Sequence, residues 1–319
     1  MPMTTSIYRS ALALLLAGLT SVGALAETRQ VEDAQGNQLT VPAEPKRIAT
    51  LSELDLDTAL ALGITPVGTT DGRGQASPPR YLEGKVPAQT RSVGLLNDPN
   101  LEALLELQPD LILTGPQKPE QLAILNEIAP TAVSYALGEY WMDATLRVAN
   151  ILNREAEGQQ LLERYKARAA EGRDKLSEHQ GETISIARWN PKGPAYMLKD
   201  SFASTVAHDL GLVRPGHQQE PGTTHSMSLS LESLAMLDAD WLVVGTLATT
   251  GDAVNAMRQA EQTPMFLQME SVKANQYSAV DGSVWTSTGG PLAALQVIED
   301  IETMVLDSEA NATAVAATP

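Results

Sequence analysis

From residue 29 onward, short β-branched and apolar runs alternate with longer stretches in which apolar residues recur every three or four positions. "RIATLS" (47–52) reads as a strand and "ELDLDTALALG" as the helix after it, closed by Gly63. "TPVGTTD" and "RSVG" read as further strands, "PNLEALLELQ" as a helix and "DLILTG" as a strand. "PEQLAILNEIA" and "TAVSYAL" repeat the helix-strand pair. Strands and helices alternating over short links imply a largely parallel sheet covered on both faces. Ahead of them, "RQVEDAQGNQLTVP" reads as a hairpin about a Gly-Asn turn.

The texture changes after Trp141. "DATLRVANILN" keeps a helical pattern, but "REAEGQQLLERYKARAAEGRDKLSEHQ" is rich in Glu, Lys, Arg and Ala with few apolar positions. A helix this polar bridges domains rather than filling a core. Past it the alternation returns through "TISIARW", "AYMLKD", "SFASTVAHDLG", "LSLESLAML", "DWLVVGT", "DAVNAMRQA" and "QYSAV", and closes with the helix "PLAALQVIEDIETMVL". One unit occurs twice: "NLEALLELQPDLILTG" (100–115) and "SLESLAMLDADWLVVG" (230–245) share Leu101/Leu231, Glu102/Glu232, Leu104/Leu234, Leu107/Leu237, Asp110/Asp240 and Gly115/Gly245.

The expected fold is therefore α/β: two Rossmann-like lobes with mostly parallel sheets joined by one long α-helix, with a ligand cleft between the lobes. The boundaries read as a leader at 1–26, an N-terminal lobe with its hairpin at 27–152, a linking spine helix at 153–180, a C-terminal lobe at 181–307 and a disordered tail at 308–319.

Composition adds a compartment. Residues 1–26 carry one charge, Arg9, an apolar run from Ala11 to Ala17, and Ala24-Leu25-Ala26 at their end, the form of a cleavable secretory signal peptide. No cysteine occurs, so disulfides are excluded and the acylated cysteine of a bacterial lipoprotein is missing. The expectation is a soluble periplasmic protein, not a lipoprotein. The formal net charge of −17, one unit more negative without the leader, repels nucleic acid and anionic lipid. An anionic ligand would need local arginines.

Enzyme signatures are missing. The chain has no Gly-x-Ser-x-Gly, Walker-type or Gly-x-Gly-x-x-Gly motif, and its four histidines (His179, His208, His217, His225) lack zinc-type spacing. Asp55 and Asp57 read as a solvated pair on one helix face. No catalysis, no intrinsic cofactor and no protein-held metal are expected. The rival from another class is a secreted α/β hydrolase.

Taken in order, "VPAEPKRIATLS…ALALGITPVGTTD", "SVGLLNDPNLEALLELQPDLILTG", "DSFASTVAHDLGLVRP", "LSLESLAMLDADWLVVG" and "GGPLAALQVIEDI" resemble the periplasmic binding proteins for ferric siderophores, haem and cobalamin. These are the substrate-binding subunits of ATP-driven importers with a single-helix spine. The resemblance runs from about Arg29 to Leu306. It implies a monomer that captures an iron(III)-siderophore complex, the iron held by the siderophore, and delivers it to the permease dimer of an ABC importer in the inner membrane. It also implies that Glu102 and Glu232 pair with permease arginines. A haem or cobalamin ligand is the alternative, with Tyr140 or Tyr196 serving haem.

In open parallel sheets, ligands sit outside the carboxyl ends of the strands. That rule makes Tyr140, Trp141, Trp189 and Trp285 candidate ligand contacts, with Tyr196 as a further one, while Trp241 at a strand's amino end reads as packing. Arg73, Arg188 and His225 are the charged candidates, an arginine fork being suited to carboxylate, catecholate or hydroxamate oxygens. Adjacent strand residues face opposite sides, so Arg188 and Trp189 are not both expected in the cleft. Thr286 stands where some siderophore binders carry an iron-ligating tyrosine.

Overall fold

The computed structural model describes residues 27–316, with side chains through Ser308; the leader at 1–26 lies outside the described residues. The chain begins with the hairpin β1 (Thr28–Glu32) and β2 (Gln38–Pro42), paired antiparallel around Gly36 at φ 80°. The first sheet takes β3 (Ile48–Thr50), β4 (Gly68–Thr69) and β5 (Arg91–Ser92), and β6 (Gly94–Leu95) and β7 (Asp98–Pro99) form a small hairpin beside it. With β8 (Leu111–Thr114) and β9 (Thr131–Val133) the sheet reads β5-β4-β3-β8-β9, every pairing parallel. Helices α1 (Glu53–Ala61), α2 (Leu101–Glu106), α3 (Pro119–Ile128) and α4 (Trp141–Ile151) complete this lobe.

The polar spine is α5 (Glu155–Lys175). After it come β10 (Ile184–Asn190), β11 (Gly193–Tyr196), α6 (Phe202–Asp209) and β12 (Trp241–Thr246). Helices α7 (Asp252–Ala260), α8 (Pro264–Leu267) and α9 (Glu270–Lys273) lead to β13 (Tyr277–Asp281), α10 (Gly282–Trp285) and α11 (Pro291–Ala316). The second sheet reads β11-β10-β12-β13, parallel except for β11, which folds back on β10 as an antiparallel edge. The closing helix continues to Ala316, into the stretch read from sequence as a disordered tail.

The doubled unit does the same structural work twice. The Asp110 carboxylate accepts the amides of Lys46 and Arg47 at the entry to β3, and Asp240 accepts the Thr183 amide at the entry to β10. Each aspartate thus fixes the start of the strand next to its own. Gly115 and Gly245 allow close approach: a Cβ would lie 2.6 Å from the Tyr135 hydroxyl in one case and 2.7 Å from the Gly282 backbone in the other. The copies differ at their helices. Asn100 caps α2 by accepting the Ala103 amide, whereas Ser230 makes no cap hydrogen bond and Leu231–Leu237 is a 3-10 helix.

The lobes share more than the spine. The amino end of α4 (Trp141, Met142) is buried with Phe202, Trp285 and Val297 of the second lobe, while its Val148 and Ile151 lie in the first lobe's core. Arg80 reaches across to Asp281 with two hydrogen bonds and donates a third to the Leu247 carbonyl. On the spine, Arg168 and Lys175 both hold Glu302 of α11. Asp57 of α1, with no exposed surface, accepts the Leu292 and Ala293 amides at 2.8 and 2.9 Å, capping α11 from the other lobe. Gly290 is required there, since a Cβ would sit 2.6 Å from the Asp57 carboxylate. Asp55 is equally buried and accepts the Ser52 hydroxyl at 2.6 Å. The solvated Asp55–Asp57 face expected from sequence is thus corrected: α1 is covered on this side by α4 and α11.

Burial pushes the Asp57 carboxyl up to about 6, from an ordinary 3.8, against the pull of the amides it accepts. A folded pKa above the unfolded one means that the native state holds the extra proton. The stability tied to this group is complete below about pH 4 and is lost as pH rises through about 6. Asp57→Asn cannot titrate. Its stability relative to the parent, read from urea midpoints at about pH 4 and 7, is expected to improve by roughly 2–3 kcal/mol across that range; a gap that does not move with pH refutes the assignment.

Candidate ligand-binding cleft

The carboxyl ends of both sheets face a common gap. One part, a cavity of about 210 Å³, is lined by Arg73, Tyr135, Leu137 and Trp141 from the first lobe's side and by Arg188, Phe202, His225 and Thr286–Thr288 from the second. A second part, about 500 Å³, shares Arg73, Tyr135 and Leu137 and extends past Ser52, Leu96 and Gly115. The first lobe's chain order reverses between β3 and β8, so Ser52 and Gly115, just past those strands, mark its topological switch point.

Arg188 projects from the carboxyl end of β10 and is 9% exposed. It donates from Nε to the Thr286 hydroxyl at 3.1 Å and from Nη2 to the Thr286 carbonyl. Burial lowers its pKa to about 10, and the nearby Arg73 charge adds to that drop. Two guanidinium groups from opposite lobes therefore share one partly dry space, an arrangement that attracts anionic oxygens. Thr286 has an evident task in holding Arg188, which accounts for a hydroxyl at this position.

The aromatic candidates separate. Trp141 borders the cleft with its ring edge-on to Tyr165 and Phe202. Tyr140 turns away, beside Thr205 and Asp209 in an adjoining cavity of about 610 Å³ that also shares Gly138, Asp200 and Thr223 with the cleft. Trp189, Tyr196 and Trp285 are corrected as cleft residues. Trp189 and Tyr196 belong to the second lobe's core with Leu234 and Val244. Strand alternation places Arg188 on the cleft side and Trp189 on the opposite one. Trp285 is buried with Val284 and Val297 and donates its indole N–H to Asp300 at 2.8 Å. His225 is exposed at the cleft's edge, its Nδ1 2.8 Å from the Ser226 carbonyl oxygen. Glu102 and Glu232 are both exposed, each in the first turn of its helix.

Sequence reasoning missed Tyr135 and Glu53. Tyr135 lies two residues past β9, where the carboxyl-end rule points; the neighbouring Tyr140–Trp141 pair drew the reading away from it. Glu53 opens α1 directly after β3 and looks like any acidic residue in a first helical turn. Its burial, 4% exposed, is set by the opposite lobe, which leaves no periodic signal.

Two α/β lobes with a lined gap between them define a two-lobed substrate-binding protein. The family model described as periplasmic binding protein matches residues 48–282, and the chain belongs to that family. Over 292 residues, 89% of each chain, it is 32% identical to the probable siderophore-binding lipoprotein YfiY of Bacillus subtilis. It is 29% identical over 264 residues to the achromobactin-binding periplasmic protein of Dickeya dadantii, covering 81% of this chain and 85% of that one. Among solved structures, Staphylococcus aureus SirA complexed with staphyloferrin B superposes with a TM-score of 0.75 at 24% identity, covering 87% of this chain and 98% of SirA. The family is one of binding proteins rather than enzymes.

The relatives correct the expected localisation. YfiY, similar along nearly the whole chain, is named a lipoprotein, which overturns the reading of this chain as a carrier that is not a lipoprotein.

The split between core and cleft side chains is testable. Trp189→Ala is expected to cost about 3–5 kcal/mol in urea unfolding, as for other large core side chains. Arg73→Gln, at a partly exposed side chain that lines the cleft, is expected to cost clearly less, about 1 kcal/mol. Equal losses would place both residues in the packing.

Proposed function

We propose that this chain captures a ferric siderophore between its lobes and delivers it to the permease of an ABC importer, with Glu102 and Glu232 as the docking charges. The observation that carries the reading is the convergence of Arg73 and Arg188, from opposite lobes, on one cavity rich in hydroxyl groups. A ferric chelate with anionic oxygens at its periphery suits that lining, and the arginines overcome locally the repulsion from an overall charge of −17. YfiY carries siderophore binding in its name, which supports the same ligand class here. The ties across the seam favour a largely preformed cleft, with little ordering left to oppose binding. Glu102 and Glu232 stand exposed on helix starts one per lobe, suited to meeting a positive surface at two points.

Intrinsic-fluorescence titrations with ferric citrate, a ferric hydroxamate, a ferric catecholate, haemin and cobalamin test the ligand class. Tight saturable quenching by at least one ferric chelate is expected, and Arg73→Gln is expected to weaken it about 10–100-fold, the worth of a charged hydrogen bond. Quenching by haemin alone overturns the siderophore reading. The double variant Glu102→Ala, Glu232→Ala is expected to bind as the parent does yet fail to support iron uptake in cells; intact uptake removes the docking role.

A further inference from the structure

Next to the cleft lining lies a group that the binding of an anion does not by itself explain. Glu53 is buried against the two cleft arginines. One of its oxygens accepts the Arg73 amide at 2.7 Å, while the other, Oε2, is buried without a hydrogen-bond partner. The Ser287 hydroxyl, buried in the cleft wall with no other partner, is the donor nearest to it. Arg188 spends its hydrogen bonds on Thr286 rather than on a carboxylate. The seam therefore brings a buried cation, Arg188, and a partly exposed one, Arg73, near one buried carboxylate.

We infer that Glu53 is a proton-dependent counter-ion for the cleft: ionised, it balances Arg73 and Arg188 while the cleft is empty, and it takes up a proton when an anionic ferric chelate sets its own oxygens against those guanidinium groups. The inference rests on the ferric-chelate reading above. A buried Arg188 beside a second, partly exposed guanidinium would be costly without an anion, so the empty cleft favours a resident negative charge. A ligand that brings its own negative charge makes the resident one surplus. Like charges at a shared site cannot both persist in a dry setting, and protonation of the carboxylate relieves the conflict. The neutral acid then has an O–H to donate where the carboxylate had an unsatisfied oxygen.

The neighbours agree with that assignment. From the second lobe, Arg188 favours the ionised form; from the loop after β4, Arg73 does the same through its amide and its charge. The tyrosines that sense the Glu53 charge, Tyr81 and Tyr135, are held neutral by burial. Asp55 and Asp57 on the same helix point to Ser52 and to the start of α11. Burial pushes the Glu53 carboxyl upward, against the opposing pull of the Arg73 amide, the Ser287 hydroxyl and the two arginine charges.

Linkage sets the outcome: a ligand that raises the affinity for a proton binds more tightly as pH falls, up to about tenfold per pH unit for one proton. Isothermal titration of ferric citrate in two buffers of different ionisation heat, at about pH 7.5, measures proton uptake directly on the unaltered chain. Uptake approaching one proton in the parent, and clearly less in Glu53→Gln, is expected. Affinity for ferric citrate is expected to rise several-fold from pH 8 to 6 in the parent beyond any change seen in Glu53→Gln, which removes the ligand's own titration from the comparison. A ferric trihydroxamate without net negative charge is expected to show no such uptake. Equal proton uptake in parent and Glu53→Gln overturns the role of Glu53 while leaving chelate binding intact. A chain that binds no ferric chelate at any pH overturns both readings.

Discussion

The carboxylate of Asp57, with no exposed surface, lies between the lobes and holds the first amides of α11. Everything about the cleft depends on this contact and on the Arg80–Asp281 pair beside it. A lone spine helix would leave the lobes free to rock, and the gap between them would have no set width. Because α11 begins where α1 of the other lobe ends its orphan donors, the strand ends of the two sheets are held facing each other. Removing the Asp57 carboxylate would leave the buried Ala293 amide without an acceptor, which costs more than the contact contributes when intact. The seam is therefore stiff for an electrostatic reason as much as for the apolar packing of Trp141 and Phe202 against it.

That stiffness places charge where an acidic protein needs it. At long range the chain repels an anionic chelate, since its net charge is −17. Inside the gap, screening by water is reduced and Arg73 and Arg188 dominate locally. The same closeness that makes them attractive to a ligand makes them repel one another, and burial first and the Arg73 charge second lower the pKa of Arg188. Glu53 and Thr286 are the groups that let the pair exist. Beside the rings of Tyr135, Trp141 and Phe202 the cleft presents two arginines and a row of hydroxyls, and this shifts the expected ligand toward chelates with exposed oxygens.

Period and punctuation exposed much of the architecture. The alternating strands and helices, the polar run that became α5, and the doubled unit with its strand-entry aspartates were all visible as patterns. These features are local: a strand's apolar run, a cap or a polar stripe reports its own environment within a few residues. Departures came where a neighbour remote in sequence decided. Asp55 and Asp57 look like a solvent face on α1 but are covered by α4 and α11. Ser230 looks like Asn100 yet makes no cap, and its helix winds as a 3-10 turn.

The chain order by itself thus determined the two-lobed α/β plan, the helical strut and the placing of the strand ends toward one gap, because hydrophobic period and turn chemistry act over short stretches. Which side chains enter that gap was decided only in three dimensions. Trp189 and Arg188 are equally well placed by the strand-end rule, and only the side on which the second lobe keeps its core separates them. Glu53, Tyr135 and Arg80 acquire their meaning from partners in distant parts of the chain. No pattern along a single chain encodes such a meeting, because it arises from the docking of surfaces that the sequence lists far apart.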